Sequence, residues 1–525
     1  LRVDVSIAGV FFRRLSLLFC LFGLVAWPAY AIAKDSKPAI EYGPVPDWVK
    51  PVAFKHIPDP GEEAAPGFSN MDLQILSTRD SEYIFRRIES SILRREALSA
   101  GNIQIPWLPS AGGLTIHYLR IMRGDEVIDV LEDQDFTLVN AEQNIEASIL
   151  SGLIVANLQI PGLRVGDRID IAYTTAERTM ALPQARQFSS SLPWTEFPGT
   201  ISFIARWDEP GAIAWKASDD IRKLVKSDGN SLRLTVSDLD SLEMAEGAPA
   251  RYGVARYLQA SGIGQWSQLS SEMNRLFDQA SMLEDGSPLI AQADAIAAKY
   301  SDPKDRAKAA LALVQDDVRY VYVGLNGGNL IPASADESWR RRYGDCKGKT
   351  AMLLALLDRL GIEAEAVLVS TSGGDEITEY LPTISVFDHV LVRAHIDGTD
   401  YWMDGTITGD PRLLTEPMIP YRNVLPLSAD GQSLESRPVT VADVPTHLDL
   451  THIDLSAGSD QPAKVRVDYF ERGVMAMALR SVLQSTSRSN ADTLVKNYFD
   501  SSEPWVEQDS ISWEWLADDG VLHMS

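Results

Sequence analysis

The stretch "RRYGDCKGKTAMLLALLDRLG", residues 341–361, carries Cys346, one of two cysteines in a chain of 525 residues. Asp345 is a helix-capping residue type, and Cys346 then falls in the first turn of the helix that follows. Met352, Leu353, Leu356, Leu357 and Leu360 supply a buried face, and Gly361 ends the helix. Main-chain N–H groups at a helix N-terminus are unpaired and carry partial positive charge. A thiol placed there has its thiolate stabilised, with Lys347 and Lys349 adding positive charge. The same N–H groups can hold a developing oxyanion, so the position supplies a nucleophile and half of an oxyanion hole. The competing reading is a structural cysteine in the core. Its neighbours Gly, Asp, Lys and Gly are not core residue types, which favours the nucleophile.

A thiol nucleophile needs a base, and the base needs an orienting acceptor. His389 opens the strand pattern "HVLVRAHI", in which Val390, Val392, Ala394 and Ile396 alternate to one face and His389, Leu391 and Arg393 to the other. Asp397-Gly398 reads as a hairpin turn, after which "YWMDGT" returns antiparallel. A two-residue turn sets Leu391 opposite Asp404 and His389 opposite Thr406. Asp404 is then diagonal to His389 at a Cα separation of ~7–8 Å, which side chains bridge. His395 shares the parity of His389 but lies roughly 20 Å along the strand, at ~3.3 Å per residue, and is not a substitute for it.

"YGDCKGKTAMLLALLDRLGIEAEAVLV", then "FDHVLV", then "YWMDGT", resembles the transglutaminase-like branch of the papain-fold superfamily. More narrowly, the chain is similar to exported bacterial proteins that join this core to an upstream β-rich domain of unknown function. The core resemblance covers about residues 285–425. It implies Cys346 as nucleophile, His389 as general base and acid, and Asp404 as orienting acceptor, with no cofactor and no metal. Family members often carry Asn just before the histidine; Asp388 departs from that pattern.

Outward from this core, the chain reads as an α+β multidomain protein. Residues 34–69, rich in Pro, Gly and charge, form an extended lead-in. Residues 70–260 read as an antiparallel β-rich domain of sandwich type, with hairpin signals at Arg123-Gly124-Asp125 and Asp228-Gly229-Asn230. The transglutaminase-like cysteine core spans 265–425, with Asp302 capping and Pro303 opening one of its helices. Residues 430–525 read as a C-terminal β-rich domain with one helical stretch near 475–499. It ends just after a strand-turn signal, so a truncated last domain is one reading.

Arg13-Arg14 precede the apolar run "LSLLFCLFGLVAWPAYAIA", which ends in small residues that fit an A-x-A cleavage pattern. Residues 1–33 are therefore predicted to be an export signal, placing the protein in the periplasm or cell envelope. An uncleaved N-terminal anchor is the alternative, since the run is near the shorter spanning lengths. Phe19 before Cys20 is too bulky for lipoprotein processing. With the signal removed, Cys346 is the remaining cysteine, which excludes an internal disulfide and a zinc site of several thiolates. The net charge of −25 argues against nucleic acid or anionic membrane as the main partner.

These features predict a thiol enzyme acting on amide bonds of proteins or peptides through an acyl-enzyme. The triad serves hydrolysis and acyl transfer alike. The alternative is a non-catalytic envelope interaction or assembly scaffold. Secondary candidates are Arg340-Arg341-Arg342 as a solvated basic patch or an anion site, Trp339 and Trp402 as cleft walls or core, and Tyr320, Tyr322 or Asn326 as the second oxyanion donor.

Overall fold

The cysteine helix, Cys346–Arg359, packs one side on a sheet and is surrounded elsewhere by four other helices. The computed structural model describes residues 39–525 except 55–66, 79–80, 110–111, 141–153, 179–181, 183–185, 209–212, 246, 322–329, 408–420, 439–443, 459, 485 and 517–518. The predicted export signal, Tyr322 and Asn326 lie outside the described residues. The sheet beside the cysteine helix is five-stranded and antiparallel, in the order Thr399–Met403, His389–Ile396, Glu363–Val369, Asn423–Pro426, Glu435–Ser436. Three of these strands are the ones read from the sequence; Asn423–Pro426 and Glu435–Ser436 carry too few residues to show a period.

The helices Trp266–Ser281, Pro288–Lys299, Pro303–Asp317 and Ala335–Arg341 pack against the cysteine helix. Asp302 Oδ1 accepts from the N–H groups of Lys304 and Asp305, and Pro303 takes the first helical position, where its missing N–H costs nothing. The apolar face of the cysteine helix, with Met352, Leu353, Leu356 and Leu357, meets Val392, Ala394 and Ile396 of the neighbouring strand in one core. The alternation along "HVLVRAHI" thus buries the predicted face.

Upstream lies a mixed nine-stranded sheet. Most junctions are antiparallel, as expected, but Gly67–Ser77 runs parallel to Phe197–Trp207 and Glu41–Tyr42 runs parallel to Leu114–Arg123. The expectation of a purely antiparallel N-terminal domain is corrected on this point. Hairpin signals report only neighbours in sequence, whereas these junctions join strands far apart in the chain. Both predicted hairpins form: Arg123 pairs Glu126, and Ser227 pairs Leu232. Two three-stranded sheets cover parts of one face and close apolar cores with it. The opposite face is polar over much of its area.

Past residue 446, a four-stranded antiparallel sheet packs on two helices, Gly473–Gln484 and Arg488–Ser502. The sequence reading had one helical stretch here. Ser487 splits it, its side chain accepting from Asn490 N–H to cap the second helix. The whole is a mixed α+β, β-rich structure. Among the described residues, no helix is long and apolar enough to cross a membrane.

Candidate active site

Asp345 is the N-cap of the cysteine helix, and its Oδ1 accepts from Gly348 N–H at 2.9 Å. That bond uses one of the free donors of the first turn, and among the described residues the N–H at Cys346 has no cap partner. Cys346 itself is 1% exposed. Its polar neighbours are buried as well, which overturns the reading of this motif as a non-core environment. Polar groups are tolerated there because each has a partner: Lys347 forms an ion pair with Asp345, and Lys349 donates to the Val318 carbonyl.

His389 stands at the start of its strand and is buried. The hairpin that follows has the expected two-residue turn. Asp397 and Gly398 both have positive φ (52° and 78°), as a type I′ turn requires, and Ile396 pairs Thr399. Continuing the register from Val392 opposite Met403 sets Leu391 opposite Asp404. His389 Nε2 lies 2.8 Å from Asp404 Oδ2. The Cys346 thiol is near enough to act on the His389 imidazole electrostatically. With Nε2 engaged by the carboxylate, Nδ1 is the ring nitrogen left for sulfur.

Burial alone would push the His389 imidazole down. The Asp404 carboxylate, by charge and by hydrogen bond, together with Cys346, more than offsets this and holds it well above its ordinary range. Burial would likewise raise Asp404, but His389 and two bonds from Thr406 keep it below the usual carboxylate range. Burial pushes Lys349 down to about 8, with the charges of Asp404 and Asp316 opposing. Lys347 is also opposed by burial, yet Asp345 and Cys346 raise it, so it stays a cation.

The structure adds residues that the sequence reading missed. Thr406 donates to Asp404 Oδ1 from both its N–H (2.8 Å) and its hydroxyl (2.7 Å), fixing the carboxylate that faces His389. The signal was present in "DGT", where Asp two residues before Thr is a turn-forming pattern. Gln315 Nε2 donates to the Asp404 carbonyl at 2.8 Å, a contact from a distant helix with no local signal. Gly405 separates these groups because a Cβ there would lie 2.9 Å from Val314 Cγ1 and 3.5 Å from Lys349 Cβ.

Other candidates sit elsewhere. His395 is exposed and pairs with Asp400 across the hairpin at 3.0 Å. Asp388, where the resembling family often has Asn, accepts from Thr371 N–H and hydroxyl and staples the loop between two strands. Arg340 and Arg341 pair with Glu337, and Arg342 stacks on Trp339. Trp339 lies in the helical core, and Trp402 lines a cavity of about 310 Å³ with Arg393, Glu435 and Arg437. Tyr320 packs against the apolar cluster that contains Cys346. Among the described residues no group of His, Cys, Asp and Glu has metal-holding geometry.

Residues 79–238 match the family DUF3857, a domain of unknown function with solved structure. This is the upstream β-rich unit, and it bears out that part of the sequence resemblance. The chain shares its fold with a candidate protease from Parabacteroides distasonis, at a TM-score of 0.56, 16% identity and 72% coverage of each chain. A TGase (TM-score 0.18, 14% identity, 40% of this chain and 52% of that one) overlaps only slightly. The same holds for the periplasmic domain of TgpA from Pseudomonas aeruginosa (TM-score 0.18, 14% identity, 57% and 95%). A search of curated proteins returns no significant match. The family match thus covers the upstream β-rich unit, and the likeness to the Parabacteroides structure is one of fold.

Proposed function

We propose that the chain is an exported, transglutaminase-like thiol enzyme acting on amide bonds of proteins or peptides. One observation carries this reading: the Cys346 thiol, the His389 imidazole and the Asp404 carboxylate form one contact chain at a helix N-terminus. In this mechanism His389 Nδ1 takes the thiol proton, and the thiolate attacks the amide carbonyl. The oxyanion forms beside the N–H of Cys346, which the Asp345 cap leaves open. Collapse breaks the C–N bond, and imidazolium returns its proton to the leaving amine. The resulting thioester is resolved by water or by a second amine, giving hydrolysis or acyl transfer.

The exported location rests on the residue 1–33 pattern. A protein or peptide substrate follows from location and an acidic surface. The burial of Cys346 favours a second reading, a non-catalytic envelope scaffold. Iodoacetamide labelling of the native protein separates the two, with Cys346→Ser as control. The enzyme reading requires rapid labelling that is lost on His389→Ala. Labelling no faster than in His389→Ala supports the scaffold.

A further inference from the structure

The lead-in, residues 39–54, crosses the polar face of the nine-stranded sheet and is held there by its main chain. Arg206 Nη2 donates to the Trp48 carbonyl. Gln74 makes two bonds to one residue: its Oε1 accepts from Lys50 N–H at 2.9 Å, and its Nε2 donates to the Lys50 carbonyl at 2.6 Å. Arg87 Nη1 reaches the Val52 carbonyl at 3.4 Å, and its guanidinium lies 4.4 Å from the Phe54 ring centroid. Residues 48, 50 and 52 thus meet side chains from three successive strands, Phe197–Trp207, Gly67–Ser77 and Ser81–Ile92. His117 adds a contact from its Nδ1 to the Gly43 carbonyl at 3.0 Å.

Four of these five hydrogen bonds are to carbonyls. That suits a segment with prolines at 44, 46 and 51, which lack N–H donors and favour an extended backbone. The side chains of Pro44, Val45, Asp47, Lys50, Pro51 and Ala53 are exposed and do not enter pockets. Two of the reading groups, by contrast, are also held by the sheet itself. Arg87 holds Asp170 with two bonds of 2.9 and 3.0 Å, and Gln74 Nε2 also donates to Asp72 Oδ2 at 2.8 Å. Gln74 and Asp72 are buried polar residues in mid-sheet, where an apolar side chain would otherwise be expected.

We propose that this polar face is a binding groove for extended, proline-bearing polypeptide, recognised through its main-chain carbonyls, and that the lead-in is a strap occupying it in cis. The groove is built from the Gly67–Ser77 strand together with strands of the matched domain of unknown function, and it shares no residue with the thiol site. Because the bonds from Arg206, Gln74, Arg87 and His117 all go to the strap's main chain, another extended segment satisfies the same donors. A tethered strap has an effective concentration on the order of mM, so it masks the groove from weak ligands in trans.

The test uses a fluorescent peptide of residues 43–54 and anisotropy with the full chain. Lys50→Pro removes the N–H that Gln74 accepts and loosens the strap. This variant is expected to bind the peptide about tenfold more tightly than wild type. Adding Gln74→Leu removes both bonds to the peptide and costs about tenfold. A peptide with its prolines kept and other side chains shuffled should bind comparably. A folded Lys50→Pro variant that fails to bind, or binding indifferent to Gln74→Leu, overturns the proposal. Should Lys50→Pro not fold, the wild type decides: excess peptide must speed hydrogen exchange at the Lys50 amide, and unchanged exchange overturns the groove.

Discussion

His389 Nε2 and Asp404 Oδ2 lie 2.8 Å apart although their strands' pairing ends one residue before Asp404. The tight turn at Asp397-Gly398 sets the register, and Thr406 and Gln315 then hold Asp404 beyond the last paired residue. The geometry of the proposed triad therefore depends on a turn remote from the site and on Thr406 and Gln315, which bond to Asp404.

Unequal losses are expected along the contact chain. Cys346→Ala and His389→Ala should each cost on the order of 10⁶ in turnover, and Asp404→Ala about 10⁴, since it only orients the imidazole. The double variant Cys346→Ala/Asp404→Ala should be no worse than Cys346→Ala. Turnover on an amide substrate, with melting as a folding control, checks the order. Full activity in Cys346→Ala would refute the enzyme reading.

The raised His389 pKa makes stability depend on pH. A base whose folded pKa exceeds its unfolded value adds stability that is complete below about 6.5 and is lost as pH rises through the folded value. Asp404→Asn removes the carboxylate that raises it, so this loss should shift to lower pH or vanish. Melting curves across the neutral and alkaline range read the difference. Parallel curves for the two proteins would contradict the coupling.

Lys349 acts with the opposite sign. Its folded value is about 8 against an ordinary 10.5, so the folded state binds fewer protons. The buried cation costs roughly 3 kcal/mol below pH 8, and that cost fades as pH rises towards the unfolded value. Relative to Lys349→Met, wild type should gain melting temperature through this window. An unchanging difference between the two proteins would show that Lys349 does not titrate there.

Gly405→Ala should destabilise by about 1–3 kcal/mol, because its new methyl meets Val314 and Lys349 in a packed core. Denaturant titration measures this. The accompanying shift of Asp404 should also slow labelling of Cys346. A neutral substitution would mean that the surrounding side chains give way freely.

The cysteine helix and the His389 hairpin were legible because their determinants are local: a cap, an apolar stripe and a two-residue turn. What escaped the sequence is polar burial. Lys347 and Lys349 look like surface residues until Asp345 and the Val318 carbonyl are placed beside them. Gln74 likewise looks unremarkable in a strand until Lys50 lies against it. Such placements depend on partners that no local pattern specifies.

The parallel junction in the nine-stranded sheet has a consequence for synthesis. Thr200 N–H donates to Asn70 Oδ1, 130 residues earlier, and the strands around them form adjacent members of the sheet. The ribosome must therefore complete the Phe197–Trp207 strand before Gly67–Ser77 gains its second neighbour. Until then the hairpin of Gly67–Ser77 with Ser81–Ile92 presents an open edge to other nascent chains. Closing a loop of that length is slow, so the interval is long on the time scale of local folding. Nascent chains halted before residue 197 should be digested by protease across 67–92, and chains extended past the Ser231–Leu239 strand should resist.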